Sequence, residues 1–187
     1  MGIRLQDIST TSTVNLTDKV LITDGTSENL ATVATIMGAT HISYMGARLT
    51  TDTQVTLTGN GNMIKCPLTT TGLEVPSGAS GMSISAGGVK VSAEGAYKIT
   101  ASLYETANNN ANGVYIFYGT TFTDGAPGSN VATELCGVYS DASKSAMKQV
   151  TGIVTNVPAN TIFWLVGRSS TADSTAIQGW LLVERYA

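Results

Sequence analysis

Charge is scarce in this 187-residue chain: Lys, Arg, Asp and Glu together make up 12% of it, about half the usual share. The net charge is −3, and the basic residues stand singly from Arg4 to Arg185. No basic patch exists to gather phosphates, so nucleic acid and an anionic membrane surface are excluded as partners. No apolar run approaches the roughly 18 residues of a membrane span. The start, Met1 to Gln6, lacks a signal-peptide core and the Ser/Thr of a myristoylation site, so synthesis in a cytoplasm is expected. Histidine occurs once, at His41, which leaves a catalytic triad without support. The two cysteines, Cys66 and Cys136, are too far apart in sequence for a zinc knuckle and too few for a disulfide framework, and read as buried free thiols.

Motifs of catalysis are equally thin. Ser145-Ala146-Met147-Lys148 matches S-x-x-K with no companion motif. Gly59-Asn60-Gly61 lacks the third glycine and the strand-to-helix context of a dinucleotide site, and reads as a hairpin turn. Acidic residues occur singly rather than as D-x-D-x-D. No enzyme activity, cofactor or metal centre is assigned, although a calcium ion on loop oxygens, using Asp124 or Asp173, would need no motif.

What is present is 42% hydrophobic residues set among Thr, Ser, Gly and Asn, which argues for a globular chain with a neutral, hydroxyl-rich surface rather than disorder. Val20-Leu21-Ile22 reads as a strand, Asp24-Gly25 as a turn, and Thr26 or Ser27 as the N-cap of a helix. Leu30, Val33 and Ile36 lie on one face of that helix, and Gly38 ends it. This strand-turn-helix is too small to stand alone. From about Val55 onward, short apolar runs alternate with Gly, Asn and Ser clusters at about ten-residue spacing, the mark of an antiparallel sandwich or barrel. Strands are expected near 54–58, 62–67, 82–85, 89–92, 97–106, 113–118, 132–139, 147–157, 161–168 and 177–185. Asn60-Gly61 and Gly87-Gly88 supply the positive φ of tight turns, and 108–113 and 119–130 form longer loops.

Tyr97, Ile99, Ala101 and Leu103 alternate with Lys98, Thr100 and Ser102, so one face meets a core and the other water. Val114 to Tyr118, Ile162 to Val166 and Trp180 to Val183 are apolar on both faces. Such strands need a second cover, and another copy of the chain is the simplest one in a sequence with little helix. Tyr115, Phe117, Phe163, Leu165 and Trp180 are therefore expected at a threefold interface. Burial at sheet bends or under long loops is the competing explanation.

Three segments resemble the C1q/TNF-like jelly roll. Val89 to Leu103, with Glu94-Gly95-Ala96-Tyr97 at its corner, is similar to that family's acid-Gly-x-Tyr turn into a long strand. Val157-Pro158-Ala159-Asn160-Thr161-Ile162-Phe163-Trp164-Leu165 is similar to its "G-D-x-V-W-L" turn, with Asn-Thr replacing Gly-Asp. Ile177-Gln178-Gly179-Trp180-Leu181-Leu182 is similar to its terminal "F-x-G-F-L-L" strand. Leu16 to Gly25, followed by Leu30 to Ile36, resembles a leader found on tailed-bacteriophage virion proteins.

The resemblance implies an all-β jelly-roll knob with a leading β segment over 46–187, preceded by a particle-attachment segment over 1–45. In that segment Val20, Ile22, Leu30, Val33 and Ile36 would serve as anchor residues. It implies a homotrimer on the virion surface, bound to capsid or tail proteins through its N-terminus. The particular expectation is a head fibre or capsid decoration protein, and the alternative is a tail-associated, glycan-binding adhesin. For contact with a host cell-surface glycan the polar loops offer Asn109, Asn110, Tyr118, Phe122 and Asp124, where hydrogen-bonding groups lie near aromatic rings.

Overall fold

The computed structural model describes residues 19–23, 28–32, 44–49, 55–69, 81–106, 111–140, 146–170 and 174–186, and the chain divides into two compact units, Met1–His41 and Ile42–Ala187. In the smaller unit β1 (Lys19–Thr23) pairs antiparallel with β2 (Glu28–Thr32), Leu21 opposite Leu30 and Thr23 opposite Glu28. The expected helix therefore does not begin at Glu28. Asp24-Gly25 suits a chain reversal as well as a helix lead-in, Asn29 and Thr32 are weak helix formers, and Val20 to Ile22 offers a strand to pair with. Val33, Ile36 and His41 lie outside the described residues.

The larger unit is a two-sheet antiparallel sandwich. Its strands are β3 (Tyr44–Leu49), β4 (Val55–Leu57), β5 (Met63–Lys65), β6 (Leu68–Thr69), β7 (Met82–Ser85), β8 (Gly88–Val91), β9 (Gly95–Thr106), β10 (Asn112–Gly119), β11 (Thr133–Ser140), β12 (Ala146–Val157), β13 (Ile162–Ser169) and β14 (Ser174–Arg185). Sheet I runs β12-β9-β14-β3-β6, with β4 also on β14; sheet II runs β11-β10-β13-β8-β7, with β5 also on β13. All ten strands expected from the sequence are present. β3 and β6 are additional, and Tyr44 and Met45 belong to β3 of this unit.

Register explains the core. In sheet I the partners Val150, Ala101, Leu181 and Ala47 form one row and Gly152, Ile99, Val183 and Met45 the next. In sheet II Cys136, Ile116 and Leu165 form a matching row. These rows face each other and close one hydrophobic core, because the two-residue side-chain period puts every second residue inside. Lys148 breaks the pattern by pointing inward from β12 at the edge of sheet I, a device that discourages edge-to-edge pairing.

Two turns differ from expectation. Gly59, Asn60 and Gly61 do have positive φ (66°, 54° and 73°), but β4 and β5 lie in different sheets, so this turn carries the chain across the sandwich instead of closing a hairpin. The β7–β8 hairpin places positive φ at Ala86 (47°) and Gly87 (76°) rather than at Gly87-Gly88. Gly88 is needed for close approach: a Cβ there would sit 2.4 Å from the Phe163 carbonyl oxygen.

Candidate functional site

Sheet II is apolar on both faces because its outer face has a cover of its own. Tyr115 and Phe117 from β10 and Ile162, Trp164 and Val166 from β13 form a second buried cluster with Met63 and Ala132, and Phe122 packs on it. The Phe122 ring meets Phe117 edge-on at 5.3 Å between centroids and Trp164 at 5.8 Å. It arrives on the 119–132 segment, which is fastened to β5. Met63 and Gly125 exchange two backbone hydrogen bonds (2.7 and 3.1 Å). Asp124 Oδ1 accepts one from Lys65 N–H (2.8 Å), and Asn130 Oδ1 accepts one from Thr123 N–H (2.9 Å). Trp164 Nε1 donates to the Ala86 carbonyl (3.2 Å).

Most of the residues singled out at the interface are thus enclosed within one chain. Tyr115 and Phe117 lie in the strapped outer cluster. Phe163 and Leu165 have no exposed surface and sit between the sheets. A long loop supplies the second cover in place of a second copy. The surface-recognition set also divides: Tyr118 turns inward toward the Phe163 ring (6.0 Å), while Phe122 and Asp124 belong to the strap on the opposite face of the sheet. Asn109, Asn110 and Asp173 lie outside the described residues.

Trp180 has a different setting. It is half-buried on the outer face of sheet I, where register builds four rows: Met147, Tyr104 and Gln178; Gln149, Ser102, Trp180 and Arg48; Thr151, Thr100, Leu182 and Gly46; Ile153, Lys98, Glu184 and Tyr44. Ile153 is 62% exposed, Met147 53% and Tyr44 40%. The centre is half-buried Tyr104, Trp180 and Leu182 around Thr100 and Ser102. Thr151 and Thr100 share a hydroxyl hydrogen bond (3.1 Å), and Lys98 pairs with Glu184 (3.1 Å). The alternation of Tyr97–Glu105 assigned this face to water; its visible signal was the Trp180 and Leu182 pair, whose register partners are Ser102 and Thr100.

Inside the sandwich Glu105 is fully buried, with Lys148 Nζ 3.6 Å from its carboxylate. No hydrogen bond to either carboxylate oxygen is formed. Burial pushes its pKa up to about 8 against the pull of the Lys148 charge. Burial, reinforced by the Glu105 charge, also pushes up the Cys66 thiol. Both cysteines are free, Cys66 buried and Cys136 half-buried. Among the described residues no group of three His, Cys, Asp or Glu could hold a metal ion, and no helix is long and apolar enough to cross a membrane.

No protein-family profile and no curated protein matches the sequence. Solved structures do match. The Eiger TNF from S. frugiperda is 12% identical, with 78% of this chain and 94% of that one covered at a TM-score of 0.51. Murine APRIL is 11% identical, with 76% and 99% covered at 0.52. The PRD1 vertex protein P5 is 15% identical, with 79% and 99% covered at 0.49. The first two, with the sheet orders above, define the larger unit as a TNF-like antiparallel jelly roll.

Proposed function

We propose that the chain is a non-enzymatic, homotrimeric surface protein of a bacteriophage virion, a head fibre or capsid decoration protein whose smaller unit attaches to the particle and whose jelly roll is displayed. The observation that carries the assembly part is the outer face of sheet I. It sets three exposed apolar side chains around a centre of aromatic and aliphatic residues with small hydroxyls, a composition suited to a self-complementary interface. Trp180 belongs to that interface, with Leu182, Tyr104 and Ile153. The virion part is supported by the likeness of 16–36 to phage leaders and by the neutral, hydroxyl-rich surface.

Sedimentation of the full chain at micromolar concentration tests assembly, with a trimer expected. Ile153→Asp with Trp180→Ala should shift it to folded monomer, whereas a monomeric parent would end the proposal. Antibodies against the larger unit, applied to intact particles, test location. Label on heads is expected, and label at tail tips alone would favour the adhesin.

A further inference from the structure

Arg168, on β13 at the edge of the strapped cluster, is a half-buried cation with no carboxylate partner among the described residues. Its Nε donates to the Gly61 carbonyl (2.9 Å) and its Nη1 to the Tyr115 hydroxyl (3.4 Å), and its Cζ stands 4.6 Å from the Tyr139 ring centroid. The ion pairs among the described residues are Lys98 with Glu184 and Lys148 with Glu105, and no described carboxylate reaches the guanidinium. A neutral donor would serve Gly61 and Tyr115 as well, so among the described residues the charge itself is met only by the Tyr139 ring.

The surroundings are built to hold this side chain in one place. Met63, Arg168, Gly113 and Tyr139 are successive register partners across four strands, and the missing side chain at Gly113 is what lets Arg168 reach Tyr139. A Cβ on Gly113 would fall 2.7 Å from Tyr115 Cε2 and 2.9 Å from Tyr139 Cδ2. A Cβ on Gly137 would fall 2.0 Å from Tyr115 Cδ1, so the Tyr115 ring lies flat on Gly137. A Cβ on Gly61 would sit 2.9 Å from Nη2, so glycine there is what lets the guanidinium lie against the turn. Among the described residues two of the five N–H groups have acceptors, and those on Nη2 have none.

We propose that this row is a binding seat for a carboxylate-bearing saccharide, with the carboxylate on the free edge of Arg168 and the sugar's C–H face on Tyr139. A guanidinium fork matches a carboxylate in two parallel hydrogen bonds. Tyr139 is 38% exposed, and the turn that holds the guanidinium carries exposed Thr58 and Asn60, neutral partners for hydroxyls. A single cation in a chain of net charge −3 does not suit a polyanion, which needs many. The seat adds a ligand to the displayed jelly roll and stands whether or not the chain is attached to a particle.

The test is titration of the full-length protein, followed by NMR or calorimetry, with oligosaccharides ending in glucuronate or in sialate, their methyl esters, and free acetate. Binding of at least one acid form is expected, with the ester about tenfold weaker, in line with loss of a charged hydrogen-bonded pair. Arg168→Gln and Arg168→Lys should each weaken the acid form by about tenfold, and Tyr139→Ala should weaken the saccharide but not acetate. The glucuronate and sialate arms identify the source of the carboxylate. Equal binding of acid and ester, or acid binding unaffected by Arg168→Gln, would overturn the proposal. So would acetate matching the saccharides with Tyr139→Ala silent, which would make the seat a simple anion site. Altered sedimentation of Arg168→Gln would instead assign the missing carboxylate to a neighbouring copy. If Arg168→Gln does not fold, Arg168→Lys and Tyr139→Ala carry the same comparisons.

Discussion

Replacing Glu105 by glutamine should make the jelly roll more stable at alkaline pH and leave it unchanged in acid. The carboxyl points between the sheets with no exposed surface and no hydrogen bond, facing only Lys148 Nζ at 3.6 Å. Its pKa rises from 4.5 to about 8 because burial disfavours the charged form more than Lys148 restores it. The folded chain therefore holds this proton more tightly than the unfolded chain does. The resulting stabilisation is fully present below pH 4.5 and is lost as pH climbs through about 8. At about 1.4 kcal/mol per pH unit, the ceiling on that loss is about 5 kcal/mol. Glutamine copies the neutral acid and has nothing to titrate, so the two curves should coincide below about pH 4 and separate by up to about 5 kcal/mol at pH 9. Urea unfolding at fixed protein concentration, followed by the fluorescence of Trp164 and Trp180, measures this directly. Lys148→Met should do the opposite, stranding a buried carboxylate at pH 9 at a cost of about 3–5 kcal/mol. Parallel curves for parent and Glu105→Gln, or a variant less stable than the parent at pH 9, would refute the reasoning.

The strap and its glycine bed offer two further tests. Gly137→Ala drives a methyl into the Tyr115 ring, 2.0 Å away, and should cost about 1–3 kcal/mol in thermal or chemical unfolding; a neutral result would mean that the ring is free to move. Phe122→Ala removes the edge-on contact with Phe117 and the packing on Trp164. It should cost about 2 kcal/mol and redshift Trp164 emission as water reaches the indole, while leaving sedimentation unchanged because the outer face of sheet I is untouched.

The ten expected strands were legible because alternation over Tyr97–Glu105 and turn residues at even spacing are local signals. β3 carries the same signal, with Met45, Ala47 and Leu49 buried in alternation, but it straddles the boundary at residue 45, and its place in the expected leading β segment carries no turn signal to bound it. β2 was misread as helix because Leu30 suits either period and only its pairing with Leu21 decides. The cover on sheet II lay beyond local reading: nothing in residues 119–132 announces that Phe122 will return to the aromatic rings of β10 and β13. For the same reason Arg168 was passed over. Its setting is made by Gly113 and Tyr139, its partners across the sheet.

Strand order also dictates when the larger unit can take shape during synthesis. β14 lies in sheet I between β9 and β3, and β13 lies in sheet II between β10 and β8, so the central strand of each sheet is among the last to leave the ribosome. Until residue 185 has emerged, β9 and β3 have no common partner, and a nascent chain carries two half-sheets with open edges. Folding of this unit therefore waits for its last strand and is built on long-range pairings, with the slowness and exposure to mispairing that such pairings bring. A premature stop just before β14 would leave sheet II with all its strands but sheet I as two groups, β12 with β9 and β3 with β6, with nothing to join them.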